Sequence, residues 1–247
     1  MNLANCSICD DLGVLAPNTT HNPSAGAIPC ECRMAKRKEW LVRNANIPSR
    51  YQDAVLGNYE TGWRGCSESQ TMAKVFAQKF VDEYLTLSSG QSVLFHGGIG
   101  TGKTHLGVGI LRGLIEKYGV PCYFFDQTES FEMLKLSYGS DDPRDTKKII
   151  GPSLEAEVLL LDDLGLMKLS DWGMTTVSHI LTTRYNRRLT TILTTNYPLT
   201  KPEGSTDYTL GERITERLVS RLKQMCTLVE VKGRDFREII QRSIQHG

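Results

Sequence analysis

One stretch decides the fold of this 247-residue chain: Gly97-Gly98-Ile99-Gly100-Thr101-Gly102-Lys103-Thr104. It fits the pattern G-x-x-x-x-G-K-[ST], a glycine-rich loop that wraps around phosphate groups. An apolar run at 92–95 precedes the loop and predicts a buried strand, and apolar residues at helical spacing follow it at 106–115. A strand, a tight turn and a helix N-terminus aim several backbone N–H groups and the positive end of the helix at one point. The sequence therefore predicts a site for a nucleoside triphosphate.

The residue types within this loop indicate how the phosphates would be held. Glycines let the backbone approach phosphate oxygens, Lys103 would contact the β- and γ-phosphates, and the hydroxyl of Thr104 would coordinate Mg²⁺. We predict that the nucleotide is bound by Gly97, Gly98, Gly100, Thr101, Gly102, Lys103, Thr104 and His105.

Polar side chains end two further apolar runs. The run at 158–161 is followed by Asp162 and Asp163, and the run at 191–195 by Asn196. Ligands of open parallel sheets bind beyond the carboxyl ends of the strands, so we expect Asp162 to reach the Mg²⁺ ion. Asp163 would orient or deprotonate the attacking water. Asn196 would hold a water near the γ-phosphate, or it would only form a turn.

Helical and strand patterns alternate from residue 51 onward, which predicts an α/β fold with a parallel sheet covered by helices on both faces. We predict strands at 92–95, 120–125, 158–161, 191–195 and 227–231. Helices are predicted at 34–45, 69–87, after the phosphate loop, and at 129–137, 172–188 and 210–223. The polar segment 141–151 is predicted to be a loop or a mobile insertion.

Composition and charge restrict the function classes. A formal net charge of +1 gives no overall sign of a nucleic-acid partner, and the basic clusters at 33–43 and 213–242 are local. No apolar run is long enough to span a bilayer, and the N-terminus lacks a basic region followed by an apolar core. We therefore expect a cytoplasmic protein without a membrane partner, whose seven cysteines are reduced.

Four of these cysteines, Cys6, Cys9, Cys30 and Cys32, lie in the first 32 residues. Four thiolates suit tetrahedral Zn²⁺, and a segment with almost no apolar core needs such a cross-link. His21 in the intervening loop could compete as a ligand, and four free cysteines in a flexible tail are the alternative. We predict a Cys-rich, zinc-binding and partner-binding region with a basic helix at residues 1–46, and the nucleotide-binding domain at 47–247.

Six motifs resemble, in this order, those of the DnaC/DnaI/IstB group of AAA+ ATPases. They are the phosphate loop, LDDLG at 161–165, RYNRR at 184–188, TTN at 194–196, ERITER at 212–217 and DFR at 235–237. The segment IPSRY at 47–51 also looks like the start of their ATPase domain. The resemblance implies a P-loop AAA+ domain that binds ATP with Mg²⁺ and hydrolyses ATP. The Cys-rich head looks similar to the zinc-bearing N-terminal domains of some bacterial helicase loaders.

The resemblance also implies roles for individual residues. Asn196 matches the sensor position, Arg217 the arginine finger that enters a neighbouring subunit's ATP site, and Arg237 the second sensor, which contacts ATP in its own subunit. Lys103 and Thr104 match the phosphate and Mg²⁺ contacts, and Asp162 and Asp163 the metal-side and catalytic acids. Arg213 and Arg221 lie on the same predicted helix, so the finger could be one turn away. Asp163 stands where many AAA+ proteins have Glu, which would suit slow hydrolysis.

The function implied is that of an ATP-dependent helicase loader. Such a protein binds single-stranded DNA and a hexameric replicative helicase of the DnaB type, and it forms a homo-oligomer on ATP or DNA. The alternative within the group is an IstB-type transposition helper ATPase, which binds duplex DNA and recruits a transposase. A small-molecule kinase would leave the paired aspartates, Asn196 and the late arginines unexplained. A zinc-headed adaptor with a purely structural nucleotide site would show no ATP turnover.

Overall fold

A computed structural model describes residues 6–10, 12–15, 28–63, 65–137, 143–167, 170–201, 204 and 206–237, without the side chains of 135–137 and 143–146. Its centre is a sheet of five strands: β3 (Ser92–His96), β4 (Cys122–Asp126), β5 (Val158–Asp162), β6 (Thr190–Thr195) and β7 (Cys226–Glu230). Their order in the sheet is β4-β5-β6-β3-β7, and every neighbouring pair is parallel. The predicted α/β class with a parallel sheet is confirmed.

Helices cover both faces of this sheet. The first face carries α1 (Glu31–Asn44), α2 (Glu68–Asp82) and α3 (Lys103–Tyr118). The second carries α4 (Gln127–Ser137), α5 (Pro143–Glu155), α6 (Asp171–Arg187), α7 (Leu210–Ile214) and α8 (Glu216–Met225). Every residue of β5 is buried, as expected for a strand that is covered on both sides. Because all strands are parallel, their carboxyl ends lie at one edge, where the phosphate loop also begins.

Two predicted elements are wrong in this structure. Segment 141–151, predicted as a loop, lies largely in α5. Ile150 is buried in the apolar core of the second face, and Leu154, four residues further along the helix, packs against that core. These contacts stabilise the helix despite its polar sequence. The predicted helix 210–223 is divided into α7 and α8 at Thr215, whose φ of 97° is incompatible with a helix.

Helix α1 is fixed to the edge strand β4. The N–H of Phe124 donates to the carbonyl of Ala45 at 2.7 Å, and Nδ2 of Asn46 donates to the carbonyl of Phe124 at 3.1 Å. Leu41 and Ala45 are buried in the same core as α3. These contacts cover an edge that would otherwise expose unpaired backbone groups. The division of the chain at residue 46 stays a prediction, but the C-terminal half of α1 packs on the phosphate-loop domain.

The segment before α1 contains a short antiparallel pair, β1 (Val14–Leu15) and β2 (Ile28–Pro29). This pair brings the two halves of the Cys-rich head together at the start of α1, where Cys30 is the N-cap residue. Within the described ranges, no helix has the length and apolar character that crossing a membrane requires.

Candidate nucleotide site and cysteine cluster

The phosphate loop joins β3 to α3 through glycines in conformations that other residues rarely adopt. Gly97, Gly100 and Gly102 have φ angles of 143°, 69° and 92°. Nζ of Lys103 lies folded back across the loop and donates to the carbonyls of Gly97 and Gly98 at 3.0 and 2.6 Å. Burial lowers the pKa of Lys103 to about 8, against the opposing influence of two nearby carboxylates. The loop thus holds a cation at the start of a helix, which is an arrangement that attracts phosphate.

Thr104 and Asp162 contact each other at the N-terminus of α3. Oγ1 of Thr104 lies 2.9 and 3.1 Å from the two carboxylate oxygens of Asp162, and Thr194 donates to Oδ1 of Asp162 at 2.6 Å. Burial, and then the charge of Asp163, raise the pKa of Asp162 to about 6. Hydroxyl and carboxylate oxygens are ligands that Mg²⁺ prefers, so the residues present fit this ion.

Asp163 and Asn196 also meet at the carboxyl edge of the sheet. Nδ2 of Asn196 donates to Oδ1 of Asp163 at 3.2 Å, and the backbone N–H of Asp163 donates to Oγ1 of Thr194 at 2.8 Å. Both side chains line a cavity of about 330 Å³ together with Lys103, Thr104, His105 and Arg237. The structure therefore brings Lys103, Thr104, Asp163 and Asn196 to one cavity, and Asp162 lies behind Thr104 in hydrogen-bond contact with it.

A small pocket of about 60 Å³ extends this cavity along Thr101 and Gly102. The hydroxyl of Tyr59 donates to the carbonyl of Thr101 at 2.9 Å, and the rings of Trp63 and Phe236 lie 5.5 Å apart at its wall. The two tilted rings expose aromatic surface beside the phosphate loop, which the base of a nucleotide could contact. For Tyr59 and Trp63, the sequence carries no signal beyond an aromatic-rich segment before the loop.

His105, which was predicted to bind the nucleotide, lines both the pocket and the cavity. Its Nε2 lies 3.0 Å from the carbonyl of Val55 and 2.9 Å from Oδ1 of Asn58. Burial lowers the pKa of this imidazole. In this structure His105 therefore connects α3 to the segment that precedes α2.

The segment 235–237 crosses the phosphate loop. The N–H of Phe236 donates to the carbonyl of Gly100 at 3.0 Å, and a Cβ at Gly100 would overlap the carboxylate of Asp235. The exposed side chain of Arg237 lines the cavity of its own chain, as a second sensor requires. Gly100 is thus needed both for its positive φ and for this close approach.

The three candidate finger arginines differ in their surroundings. Arg213 donates to the carbonyls of Gly165 and Leu166, and Arg221 donates to the hydroxyl of Thr182. Arg217 is exposed, and within the described part of the chain its side chain makes no hydrogen bond or ion pair. The structure does not bring Arg217 to the cavity of its own chain.

The side chains of the four cysteines in the N-terminal region, Cys6, Cys9, Cys30 and Cys32, lie close together. Their Sγ atoms all lie within 4.8 Å of one another, with Cys6 and Cys30 at 3.8 Å and Cys9 and Cys32 at 3.3 Å. None is in a disulfide. Zinc–sulfur bonds of about 2.3 Å place tetrahedral sulfurs about 3.8 Å apart, so the cluster fits Zn²⁺. The hydrogen bond with the Cys9 thiol, and then burial, raise the pKa of Cys32 to about 12, and a bound dication would instead favour the thiolate. His21 lies outside the described residues.

A family model described as "IstB-like ATP binding protein" matches residues 31–243. The chain belongs to this family. It is thereby an ATPase of the DnaC/DnaI/IstB group of AAA+ proteins, which confirms the predicted resemblance and the predicted enzyme class.

Individual relatives agree with this membership. A crystal structure titled "DnaC helicase loader" is 34% identical, with a TM-score of 0.63, and the match covers 75% of this chain and all of that one. The DnaI structure is 24% identical with a TM-score of 0.60, covering 75% and 95%, and supports the fold alone. The uncharacterised protein YqaM of Bacillus subtilis (strain 168) is 26% identical over 215 residues. That match covers 83% of this chain and 63% of YqaM.

Proposed function

We propose that this AAA+ ATPase is a replicative helicase loader. In this proposal it binds single-stranded DNA through its ATPase domain and docks on a hexameric DnaB-type helicase through the Cys-rich head and α1. The observation that supports the proposal is the 34% identity to a DnaC helicase loader across the whole chain of that crystal structure. The cysteine cluster at the start of α1 adds a preformed surface that the ATP reaction does not use. The division into a head at 1–46 and an ATPase domain at 47–247 is part of this proposal.

ATP hydrolysis would use the residues that line the cavity, together with the buried Asp162 beside Thr104. Lys103 would neutralise the β- and γ-phosphates, and Thr104 and Asp162 would hold Mg²⁺, which when bound supplies charge neutralisation at the phosphate oxygens. Asp163 would accept a proton from the attacking water, while Asn196 orients the carboxylate through their hydrogen bond. Arg237 would contact the phosphates from the same chain.

Arg217 is our choice for the arginine finger, which would act on the ATP of a neighbouring subunit. Its exposure and its lack of a polar partner in the described residues leave it available to another chain, whereas Arg213 and Arg221 are each held by internal contacts. A finger that arrives only on assembly contributes roughly 10³- to 10⁵-fold in rate. Hydrolysis would then depend on oligomerisation on ATP or DNA.

Co-expression with the host's hexameric replicative helicase, followed by native mass spectrometry, tests the proposal. We expect a complex that survives purification in the presence of ATP. Cys9→Ser should weaken this complex, whereas Cys66→Ser, which lies outside the cluster, should not. ATPase activity should rise with single-stranded oligonucleotide more than with a duplex of equal length. Absence of the complex, together with stimulation by duplex only, would contradict the loader function and favour the IstB-type transposition helper.

A further inference from the structure

Arg213 is held between two segments that follow the strands of the ATP site. Its Nε donates to the carbonyl of Gly165 at 2.7 Å, and Nη2 donates to the carbonyl of Leu166 at 2.8 Å. Its guanidinium carbon lies 5.1 Å from the centre of the Tyr197 ring. Gly165 and Leu166 follow Asp163 by two and three residues, and Tyr197 directly follows Asn196. One side chain therefore joins the ends of β5 and β6 to α7.

The loop that contains Gly165 has a backbone conformation that accommodates Arg213. Gly165 has a φ of 88°, and a Cβ there would meet Arg213, Leu210 and Tyr197 at 3.2 Å each. The N–H of Leu210, at the start of α7, donates to the carbonyl of Pro198 at 2.9 Å. Helix α7 is thus connected to both loops that carry the catalytic pair.

The junction of α7 and α8 connects the position of α7 to the direction of the Arg217 side chain. Thr215 has a φ of 97°, a conformation that costs energy for a β-branched residue and persists only when its surroundings impose it. Its N–H donates to the carbonyl of Gly211 at 2.9 Å, and its Oγ1 accepts from the N–H of Leu218 at 3.4 Å. Because Arg217 lies in the first turn of α8, its direction depends on where this junction is held.

We propose that Arg213 is a positioning residue that couples the ATP site of its own subunit to the finger that the same subunit offers to its neighbour. The proposal rests on the proposed role of Arg217. Movement of Asp163 or Asn196 on nucleotide binding or hydrolysis would shift Gly165, Leu166 and Tyr197. The two hydrogen bonds of Arg213 and its contact with the Tyr197 ring would transfer that shift to α7, and Thr215 would transfer it to Arg217.

Arg221 provides a matched control. It also lies over an aromatic ring, 5.5 Å from the centre of Tyr185, and it also donates to an oxygen, the hydroxyl of Thr182. Both of those partners belong to α6, not to the loops of the ATP site. Loss of Arg221 removes a comparable set of contacts from α8 but leaves the link to Asp163 and Asn196 intact.

A subunit-mixing experiment tests the proposal. The acceptor chain carries Arg217→Ala, with an intact ATP site and no finger, and the reference donor carries Lys103→Ala, with a finger and no functional site. Two further donors add Arg213→Ala or Arg221→Ala to Lys103→Ala. ATP turnover is measured in equal mixtures at one total concentration, and melting temperatures of the donors show whether each is folded.

We expect the reference donor and the Arg221→Ala donor to restore activity within about twofold of each other. The Arg213→Ala donor should restore about one tenth of that activity or less, since small misplacements of a catalytic group cost up to about 100-fold. Should Arg213→Ala prevent folding, Arg213→Lys replaces it, because lysine keeps the charge but cannot donate in a planar fork to two carbonyls.

Equal restoration by the Arg213→Ala and Arg221→Ala donors would overturn the coupling while leaving the finger intact. An equal loss in both donors would also overturn it, since any disturbance of α8 would then suffice. Failure of the reference donor itself would instead contradict the proposed finger, on which the inference depends.

Discussion

The amide of Asn196 donates a hydrogen bond to the carboxylate of Asp163 at 3.2 Å, across 33 residues of sequence. The contact exists because β5 and β6 are neighbouring parallel strands, so the residues after them meet at one edge of the sheet. Asp163 has a φ of 52°, and its backbone is held by the hydroxyl of Thr194. The two consecutive aspartates are thereby separated: Asp162 faces Thr104, while Asp163 lines the cavity with Asn196.

This separation predicts different consequences for the two acids. Asp163→Asn should bind Mg·ATP within about threefold of wild type but hydrolyse it at least about 100-fold more slowly, because it removes a proton acceptor and spares the metal-side acid. Titration calorimetry and phosphate release measure the two properties. Asp162→Asn is the control, and it should lose Mg²⁺-dependent binding. Loss of binding in Asp163→Asn instead would mean that the roles are reversed.

The residues at the carboxyl edge of the sheet could be predicted from sequence because each is marked by a local pattern. Asp162, Asp163 and Asn196 each end a recognisable apolar run, and parallel strands present such ends together. The phosphate loop needs only its own glycines and the helix that follows. For these residues the fold class was enough to place the side chains at one site.

The aromatic pocket could not be predicted in the same way. Trp63 and Phe236 meet only because the segment 235–237 returns across Gly100, and no local pattern reports that path. The break at Thr215 was equally hidden, since threonine rarely adopts a positive φ and the apolar spacing continues across it. Helix α5 was missed because the polar sequence before Ile149 outweighs its short apolar face.

The aromatic pocket predicts a ligand-dependent effect. Phe236→Ala should weaken ATP binding about tenfold and leave binding of inorganic tripolyphosphate within about twofold, because stacking on a base is worth roughly 1–3 kcal/mol. The backbone hydrogen bond from residue 236 to Gly100 would remain. Trp40→Ala, which removes a ring that is 61% exposed on α1, should change neither affinity. An equal loss for both ligands would show that Phe236 supports the loop instead of the base.

Arg184 predicts a large effect on stability. This arginine is 0% exposed, and its N–H groups donate to five oxygens at the amino edge of the sheet and the end of α5. The acceptors are the hydroxyl of Thr191 and the carbonyls of Ser153, Ala156, Glu157 and Thr190. Within the described residues no carboxylate pairs with it, and burial lowers its pKa to about 10.

Arg184→Met should therefore lower the free energy of unfolding by about 3 kcal/mol or more, since several buried carbonyls lose their donors at once. Urea denaturation followed by circular dichroism measures this change. Arg187→Ala, on the exposed side of the same helix, should stay within about 0.5 kcal/mol of wild type. A similar small change for Arg184→Met would mean that water replaces the guanidinium at little cost.

The cysteine cluster predicts one Zn²⁺ per chain. Protein purified under reducing conditions without a histidine tag should contain one equivalent by elemental analysis, and Cys9→Ser should lose it while Cys66→Ser retains it. A zinc content near zero in the wild-type protein would exclude the site. Because Cys30 is the N-cap residue of α1 and Cys32 lies in its first turn, removal of the metal should expose the start of this helix to protease.

The end of α1 should respond differently. Leu41 and Ala45 are buried against the phosphate-loop domain, and Phe124 of β4 is bonded to the backbone of Ala45. Zinc removal should therefore leave cleavage confined to the region before residue 41, with ATP affinity within about twofold of the metal-loaded protein. Cleavage throughout α1 and a lower melting temperature of the whole chain would contradict this, because both would show that the head and the ATPase domain unfold as one unit.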